Sequence, residues 1–209
     1  MYLTRITMPI SSDSFRLSQD FYSCRETFMK GFPRSVPVDE RPLFCVQRGK
    51  QGVVVTMQTK TIRPTYSDGV LPKGARVSHR EYQVPDFKKG WVHPFTLRAN
   101  PTFKVLDKDG RRRRVGVKGE DNMVKWLCEK GAKNGFFVEV ESLVITPEGY
   151  QESEVRKTVT FLSVLYKGYL TITDPEAFRN AWVNGIGSSK AFGCGLLMLG
   201  KAVGTSVPF

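Results

Sequence analysis

The sequence predicts an α+β fold made of two tandem ferredoxin-like domains, each with strands and helices in the order βαββαβ. Three observations lead to this prediction. The first half of the chain reads as strand, helix, strand, strand, which is half of such a unit. The second half reads as a complete unit, and an irregular stretch over residues 60–90 separates the two. The chain has 209 residues, enough for two small domains, which we place at residues 1–90 and 91–209.

The elements of the first domain follow from apolar patterning and from residues that begin or end helices. Ser12 and Asp13 offer N-caps for a helix, and Gly31 together with Pro33 ends it. The predicted elements are a strand over residues 2–9, a helix over 12–30, strands over 43–48 and 52–59, and a short strand over 78–84.

The second domain repeats this order and completes it. Gly131 closes its first helix, Asp174 caps its second helix, and Pro175 occupies the first turn of that helix. The long strand before Asp174 is expected to be interrupted at Gly168. The predicted elements are a strand over residues 95–106, a helix over 121–130, strands over 136–145 and 155–173, a helix from 175 onward, and a last strand over 191–199.

The charge balance predicts a polyanionic partner. The chain carries 32 Lys and Arg against 20 Asp and Glu, a formal net charge of +12, which favours nucleic acid or an anionic membrane surface. Nucleic acid is preferred, because there is no long basic amphipathic helix. No apolar run approaches about 18 residues and no signal segment begins the chain. We therefore expect a cytoplasmic protein with no membrane partner.

The sequence does not predict a metal or any other cofactor. The four cysteines are Cys24, Cys45, Cys128 and Cys194. They form no close pairs and only two histidines accompany them, so a zinc site is not expected and four buried, reduced thiols are. Residues 107–110 imitate the opening of a calcium loop, but Lys118 stands where that loop needs Glu.

Two basic segments are candidates for contact with phosphates. Arg111, Arg112, Arg113 and Arg114 follow a turn, and guanidinium groups fit phosphate oxygens in pairs. Arg156 and Lys157 form a second, shorter segment. A solvated hairpin edge is the alternative interpretation of the arginine run.

A glycine-rich segment over residues 185–197 is the third candidate. Gly187, Ser188, Ser189 and Lys190 combine small residues with one cation, so the backbone could approach phosphates closely. It is neither a P-loop nor a dinucleotide fingerprint, since the Gly-Lys-Ser/Thr ending is absent and a strand is predicted to follow. From these residues alone, a structural turn is an equally good interpretation.

Residues 95–101 (Phe-Thr-Leu-Arg-Ala-Asn-Pro) together with the glycine-rich segment resemble the CasE family, the CRISPR repeat-RNA endonucleases of type I-E systems. The resemblance extends over essentially the whole chain. It implies two ferredoxin-like domains and metal-independent cleavage of each repeat at the base of its stem-loop, with the neighbouring 2′-hydroxyl as attacking group. It also implies that the protein stays bound to the guide RNA and joins the other subunits of the Cascade complex.

The resemblance also implies site residues, with one departure from the family. Tyr22, Arg25 and Lys30 match the catalytic positions, but Arg25 stands where family members usually carry a histidine. A guanidinium stays protonated, so Arg25 is expected to stabilise charge on the phosphate and leaving oxygen. The arginine run 111–114 matches a basic segment before the middle helix, and residues 156–157 match a hairpin that enters the RNA major groove. Lys190 is expected near the phosphates.

Three alternatives remain open at this point. The chain could be an inactive subunit that only caps the guide RNA hairpin, with Arg25 as an RNA-binding residue. His79 could reach the site from the irregular stretch. A ferredoxin-like module of the RRM type could instead bind single-stranded RNA through aromatic residues on its sheet.

Overall fold

Two antiparallel sheets organise the chain in the computed structural model, which describes residues 1–106, 108–153 and 160–205. The elements of the first half are β1 (Tyr2–Met8), α1 (Ser12–Gln19), α2 (Phe21–Met29), β2 (Leu43–Gly49), β3 (Gly52–Thr59) and β4 (Arg76–Glu81). Its four strands form one sheet in the order β2-β3-β1-β4.

The second half builds the other sheet and a separate hairpin. Its elements are β5 (Trp91–Ala99), β6 (Thr102–Leu106), β7 (Arg112–Gly116), α3 (Glu120–Lys133), β8 (Phe136–Val138), β9 (Val144–Glu152), β10 (Thr160–Ile172), α4 (Pro175–Asn184), β11 (Leu197–Leu199) and β12 (Gly204–Thr205). The sheet runs β11-β5-β10-β8, with β12 beside β5 and β9 beside β10, while β6 and β7 pair only with each other.

Both sheets have the strand order of a ferredoxin-like unit. Numbered within each unit, the strands lie in the order fourth, first, third, second, and neighbouring strands are antiparallel. The predicted α+β class with tandem ferredoxin-like units is therefore confirmed. In the first unit, irregular chain over residues 60–75 connects β3 to β4 where a second helix would stand. The division at residue 90 stays a prediction.

The first predicted helix is two helices, because Asp20 interrupts it. Asp20 has an extended backbone (φ −106°, ψ 109°), and its carboxylate accepts hydrogen bonds from the N–H groups of Tyr22 (2.8 Å) and Ser23 (3.3 Å). A carboxylate bound to these free N–H groups begins a new helix. This cap was not predicted, and the caps predicted at Ser12 and Asp13 are wrong, because the first helix is capped by Ser11, whose hydroxyl accepts the N–H of Ser14 (3.1 Å).

Other element boundaries also differ from the prediction. The strand predicted over 95–106 breaks at Asn100 and Pro101, so its second part pairs with β7 as a hairpin. The helix predicted to end near Gly131 continues to Lys133, whereas β10 passes Gly168 without interruption. The stretch 136–145 is two strands joined by a short 3-10 turn, and only 197–199 of the predicted last strand is extended. Residues 155–159 of the predicted long strand lie outside the described residues.

Each sheet packs its helices over a core of its own. Ile6, Val55 and Phe28 are buried in the first core, and Leu97 and Tyr166 in the second. The four cysteines are free, three of them buried and Cys128 half-buried. Within the described ranges, no helix has the length and apolar character needed to cross a bilayer.

Two small apolar clusters join the halves of the molecule. Phe21 of α2 packs with Phe161 of β10 and Cys194 of the glycine-rich segment. Leu43 of β2 packs with Leu196 of the same segment. The glycine-rich segment of the second half therefore lies against α2 and β2 of the first half, and this contact forms the candidate site.

Candidate functional site

A cleft of about 540 Å³ lies where α2, the start of β2 and the glycine-rich segment meet. Its walls also include the end of β3 and the end of α4. One acidic side chain, Asp39, lines it, against five basic ones, which are Arg25, Arg34, Arg41, Lys60 and Lys190. A pocket with this excess of positive charge attracts a phosphate-containing ligand. We call it the basic cleft.

Helix α2 places Arg25 in the basic cleft. The buried face of α2 carries Phe21, Cys24 and Phe28, and Tyr22 and Arg25, three residues apart, lie together along one side of that face. Arg25 is half-buried and its guanidinium pairs with the neighbouring Glu26. The helix thus holds a permanent cation at the wall of the cleft.

Tyr22 lies beside the cleft, against the glycine-rich segment. Its ring stacks on that of Phe192, with centroids 6.4 Å apart, and Phe192 stacks on Phe161 at 5.8 Å. These rings tie the start of α2 to the turn that follows Lys190. The structure therefore brings two of the three predicted catalytic residues, Tyr22 and Arg25, to this contact.

Lys30 is not placed in the basic cleft. It is the exposed C-cap of α2, where its backbone N–H donates to the carbonyls of Thr27 and Phe28. Met29 and Arg34 line the cleft on either side of it in sequence, but Lys30 does not. Its catalytic role stays a prediction.

The glycine-rich segment folds back on itself in a tight loop. Ile186 donates its N–H to the carbonyl of Gly195 (2.9 Å), whose own N–H donates to the carbonyl of Arg98 on β5 (2.7 Å). Gly195 has φ of +87°, and a Cβ there would meet the Ile186 carbonyl oxygen at 2.9 Å. Only glycine fits this position without strain. The loop is thereby fixed to the second sheet.

Lys190 projects from this loop into the basic cleft, on a 3-10 turn over Lys190–Phe192. Its ammonium donates a hydrogen bond to the carbonyl of Asn184, the last residue of α4 (2.6 Å). Burial lowers the pKa of Lys190, and the nearby charge of Lys60 lowers it further. This position in the basic cleft is compatible with a contact between Lys190 and phosphate, which stays a prediction.

The residues just before Lys190 face a second cleft of about 500 Å³. Gly187 and Ser188 line it together with four basic side chains. These are Lys104 of β6, Arg114 of β7, and Lys130 and Lys133 of α3. Ser189, between the two clefts, accepts a hydrogen bond from the Asn100 side chain (2.7 Å) and has a left-handed backbone (φ 57°). We call this the hairpin cleft.

The arginine run lies on the β6–β7 hairpin and all four side chains are exposed. Arg111 precedes β7, and Arg112, Arg113 and Arg114 pair with Leu106, Val105 and Lys104 of β6. Successive strand residues point to opposite faces, and of the four only Arg114 lines the hairpin cleft. Arg156 and Lys157 lie outside the described residues.

Neither of the two histidines lines the basic cleft. His79 is on β4, where its Nδ1 pairs with the hydroxyl of Thr4 (3.0 Å), and β4 is at the far edge of the first sheet from β2. His93 is buried on β5 and its Nδ1 pairs with the carbonyl of Gly200 (3.0 Å). The alternative in which His79 reaches the site is not favoured by this arrangement.

Arg98 joins the two halves beneath the site, which the sequence analysis did not foresee. Its guanidinium donates two hydrogen bonds to the Glu148 carboxylate (2.7 and 2.8 Å) and one to the carbonyl of Val46 on β2 (2.7 Å). It also lies 5.8 Å from the ring of Phe21. An arginine within a predicted strand gives no signal of such a contact.

This pair shifts both pKa values toward the charged forms. Burial acts to lower the pKa of Arg98, but the hydrogen bond and charge of Glu148 outweigh it and raise that pKa. Burial acts to raise the pKa of Glu148, but Arg98 and the hydroxyl of Ser163 hold it below its usual value. Both groups are therefore ionised at neutral pH.

Other cleft residues also escaped the sequence analysis. Arg34, Arg41 and Lys60 come from irregular chain, where an isolated basic residue gives no signal. Lys130 ends the helix predicted over residues 121–130 and Lys133 lies beyond it, so their shared face follows only from the observed helix, which continues to Lys133. These five cations were not predicted as site residues.

Comparisons with known proteins cover nearly the whole chain. A family model described as "CRISPR associated protein" matches residues 1–201. The chain is 32% identical to the CRISPR-associated endoribonuclease Cse3 of Thermus thermophilus, over 94% of this chain and 98% of that protein. It is 27% identical to the CRISPR system Cascade subunit CasE of Escherichia coli K12, over 95% and 98%. A solved structure of Cse3 bound to a 19-nucleotide RNA is similar, with a TM-score of 0.79, 28% identity, and coverage of 96% of this chain and 100% of that one.

Proposed function

The chain belongs to the family of CRISPR-associated proteins, and from that premise we propose that it is an endoribonuclease that binds and cuts CRISPR repeat RNA. The observation that carries the proposal is the basic cleft, where Arg25 of α2 and Lys190 of the glycine-rich segment meet from opposite ends of the chain. Its size and charge suit one ribose-phosphate linkage. Two relatives match this chain over almost their full lengths, and their names describe one as an endoribonuclease and the other as a Cascade subunit.

The proposed reaction is attack by a 2′-hydroxyl on the adjacent phosphate at the base of the repeat stem, with no metal ion. Arg25 stabilises the negative charge of the phosphorane, because a fixed cation in a half-buried site needs little reorganisation during reaction. Holding the 2′-oxygen in line with the leaving 5′-oxygen supplies a further part of the rate. Tyr22 and Lys30 complete the proposed catalytic set.

The stem of the repeat would lie along the hairpin cleft. Gly187 and Ser188 allow close approach of the RNA backbone, and Lys190 continues that surface into the basic cleft. Ser189, which lies between them in sequence and lines neither cleft, is proposed as a further contact. The arginine run 111–114 extends it along β7, and residues 156–157 are proposed as a further contact in the major groove. The product RNA stays bound, and the protein becomes a subunit of Cascade in the cytoplasm.

Cleavage of repeat RNA by the purified protein in excess EDTA tests this proposal. We expect a single cut at the base of the stem, in one turnover per protein, and a 5′-hydroxyl end on the downstream product. The 2′-hydroxyl of the nucleotide before the cut is the attacking group, so its replacement by hydrogen should abolish the reaction. Mapping the ends of labelled RNA by gel electrophoresis provides the measurement.

One observation favours a second candidate, a subunit that caps the guide RNA hairpin without cutting it. Neither histidine of this chain lines the basic cleft, and by the resemblance to the CasE family Arg25 takes the position of the usual histidine. Intact RNA at stoichiometric protein, with tight binding, would establish this candidate and refute the nuclease. Cleavage that requires added Mg²⁺ would refute the metal-free reaction.

The arginine run should contribute to the salt dependence of RNA binding. Replacing residues 111–114 together with glutamine should reduce the slope of log affinity against log salt by about 0.7–0.9 for each phosphate that is no longer neutralised. The reason is that each cation on a phosphate releases about one counterion. Titration of labelled repeat RNA at several salt concentrations measures the slope.

A control variant carries the same change in net charge elsewhere. Lys50, Lys73, Arg76 and Lys201 are exposed and line neither cleft. Replacing these four with glutamine should leave the slope almost unchanged. Equal slopes for the two variants would exclude the arginine run from the RNA interface.

A further inference from the structure

Departure of the 5′-oxygen requires a proton, and the proposed catalytic set does not provide one within the basic cleft. Arg25 stays protonated throughout, so it stabilises charge but does not transfer a proton. His79 and His93 are on β4 and β5, paired with Thr4 and Gly200. The ring of Tyr22 stacks on Phe192 beside the cleft and does not line it, and Lys30 is exposed outside the cleft. A proton donor must therefore be sought among the other residues of the cleft walls.

Lys190 has the position and the contacts that a proton donor needs. It is half-buried in the same cleft as Arg25, on the turn that packs against α2. One of its three N–H bonds points to the Asn184 carbonyl at 2.6 Å, which fixes the ammonium and leaves two donors for the ligand. Unlike a guanidinium, an ammonium can release its proton.

Burial, together with the charge of Lys60, makes Lys190 a stronger acid than a lysine in water. The charged side chains lining the cleft with Lys190 are Arg25 on α2, Arg34, Asp39 and Arg41 before β2, and Lys60 after β3. Met1 also lines it, with its ammonium bound to the Tyr82 carbonyl, and Glu26 pairs with Arg25 from outside the cleft. Four of the five lining side chains are cations, and α4 contributes the uncharged Asn184. Burial and the charge of Lys60 both lower the pKa of Lys190. A donor whose pKa moves toward neutrality transfers its proton more readily.

We propose that Lys190 is the general acid that protonates the leaving 5′-oxygen, taking the role left open by the replacement of the usual histidine with Arg25. The inference rests on the proposed function. The 2′-oxygen loses its proton to water or hydroxide and bonds to phosphorus. The bond from phosphorus to the 5′-oxygen breaks as the Lys190 ammonium donates its proton to that oxygen. The products are a 2′,3′-cyclic phosphate and a 5′-hydroxyl, and water reprotonates the neutral amine.

A substrate with sulfur in place of the 5′-bridging oxygen tests this role, because a thiolate leaves without a proton. We expect Lys190→Met to slow single-turnover cleavage of ordinary repeat RNA by about 10²–10⁴-fold. The same variant should cut the 5′-thio RNA at close to the wild-type rate. Lys190→Arg keeps the charge but not the transferable proton, so it should behave in the same way. Arg25→Met should be slow on both substrates.

The possible outcomes separate the two proposals. If the wild-type protein cuts neither RNA, the nuclease itself is refuted. If the wild type cuts both but Lys190→Met stays slow on 5′-thio RNA, or cuts ordinary RNA normally, Lys190 is not the acid. Rescue of Lys30→Met instead of Lys190→Met would assign the role to Lys30. Rescue also shows that the Lys190 variant is folded.

A pH profile gives an independent readout. The acid form of Lys190 is lost as pH rises through its lowered pKa, so the rate on ordinary RNA should fall on the alkaline side. Lys60→Gln removes the repulsion that lowers this pKa, so the alkaline fall should move to higher pH. An unmoved profile in Lys60→Gln, with cleavage intact, would contradict the proposal.

Discussion

Replacing Arg98 with methionine is expected to lower the free energy of unfolding by about 3–5 kcal/mol. The Arg98 side chain is 8% exposed and the Glu148 side chain 25%. Removing the guanidinium leaves the carboxylate in a poorly solvated site, with Ser163 as its remaining hydrogen-bond donor within the part of the chain that the structure describes. The carbonyl of Val46 is deprived of its donor as well. Urea unfolding at pH 7, with circular dichroism as the signal, measures the change.

Two further variants distinguish the effect of breaking the buried pair on stability from the effect of removing any arginine. Arg16→Met removes a surface partner of Asp13, in a pair whose side chains are 84% and 67% exposed, and should change stability by less than about 0.5 kcal/mol. Arg98→Met combined with Glu148→Leu should cost less than Arg98→Met alone, since no unpaired charge is left buried. A double variant as unstable as the sum of its single changes would show that the pair is not coupled.

The same pair should produce a defined acid dependence of stability. Glu148 has a lowered pKa in the folded protein, so its contribution is complete above the usual carboxyl pKa of about 4.3. It is lost as pH falls through the lower pKa of the folded state. Glu148→Gln removes this group, and its stability should therefore vary less with pH across that range than the wild type.

Arg98 also affects the site, because it holds both walls of the basic cleft. Its side chain contacts β2 at Val46 and the ring of Phe21 at the start of α2. Its backbone carbonyl accepts the N–H of Gly195 in the glycine-rich segment. One residue of β5 thus sets the separation between the helix that carries Arg25 and the loop that carries Lys190.

The sequence predicted correctly those strands that a run of neighbouring apolar and β-branched residues marks. The strands predicted over 43–48 and 52–59 are observed at 43–49 and 52–59, since unbroken β-branched and apolar runs leave little choice. Asp20 was missed, because an acidic residue within a helical pattern also suits a solvated face. The break at Asn100 and Pro101 was missed although proline interrupts a strand by removing a ladder N–H. The bond from Asn100 to Ser189 joins residues far apart in sequence and gave no such local signal.

The candidate site was only partly predictable for the same reason. Arg25 came from the family resemblance and Lys190 from the glycine-rich segment itself, and both line one cleft. Arg34, Arg41 and Lys60 join them only because the irregular chain around β2 and β3 folds over α2. The charge of the cleft thus arises from tertiary folding, whereas the motif residues can be identified from short stretches of the sequence.

Replacing Arg25 with alanine is expected to slow single-turnover cleavage by about 10²–10³-fold, the usual cost of losing one group that stabilises transition-state charge. Affinity for the repeat should change only a few-fold, because Arg25 is one of many cations on the two clefts. Arg16→Ala, an exposed arginine on α1 that lines neither cleft, is the matched control and should cut normally. Rates come from excess protein over labelled RNA, and affinities from equilibrium binding to RNA blocked at the 2′-oxygen.

Installing histidine at residue 25 distinguishes charge stabilisation from simple RNA binding. If α2 holds residue 25 beside the reacting linkage, Arg25→His should cut about 10²–10⁴-fold faster than Arg25→Ala, because an imidazole adds proton transfer. Its rate should also change near the usual imidazole pKa of about 6.5, where a guanidinium does not titrate. If Arg25→Ala cuts at the wild-type rate and the rate of Arg25→His does not change with pH near about 6.5, the reacting phosphate lies away from α2. The basic cleft would then be a binding surface and not the site of chemistry.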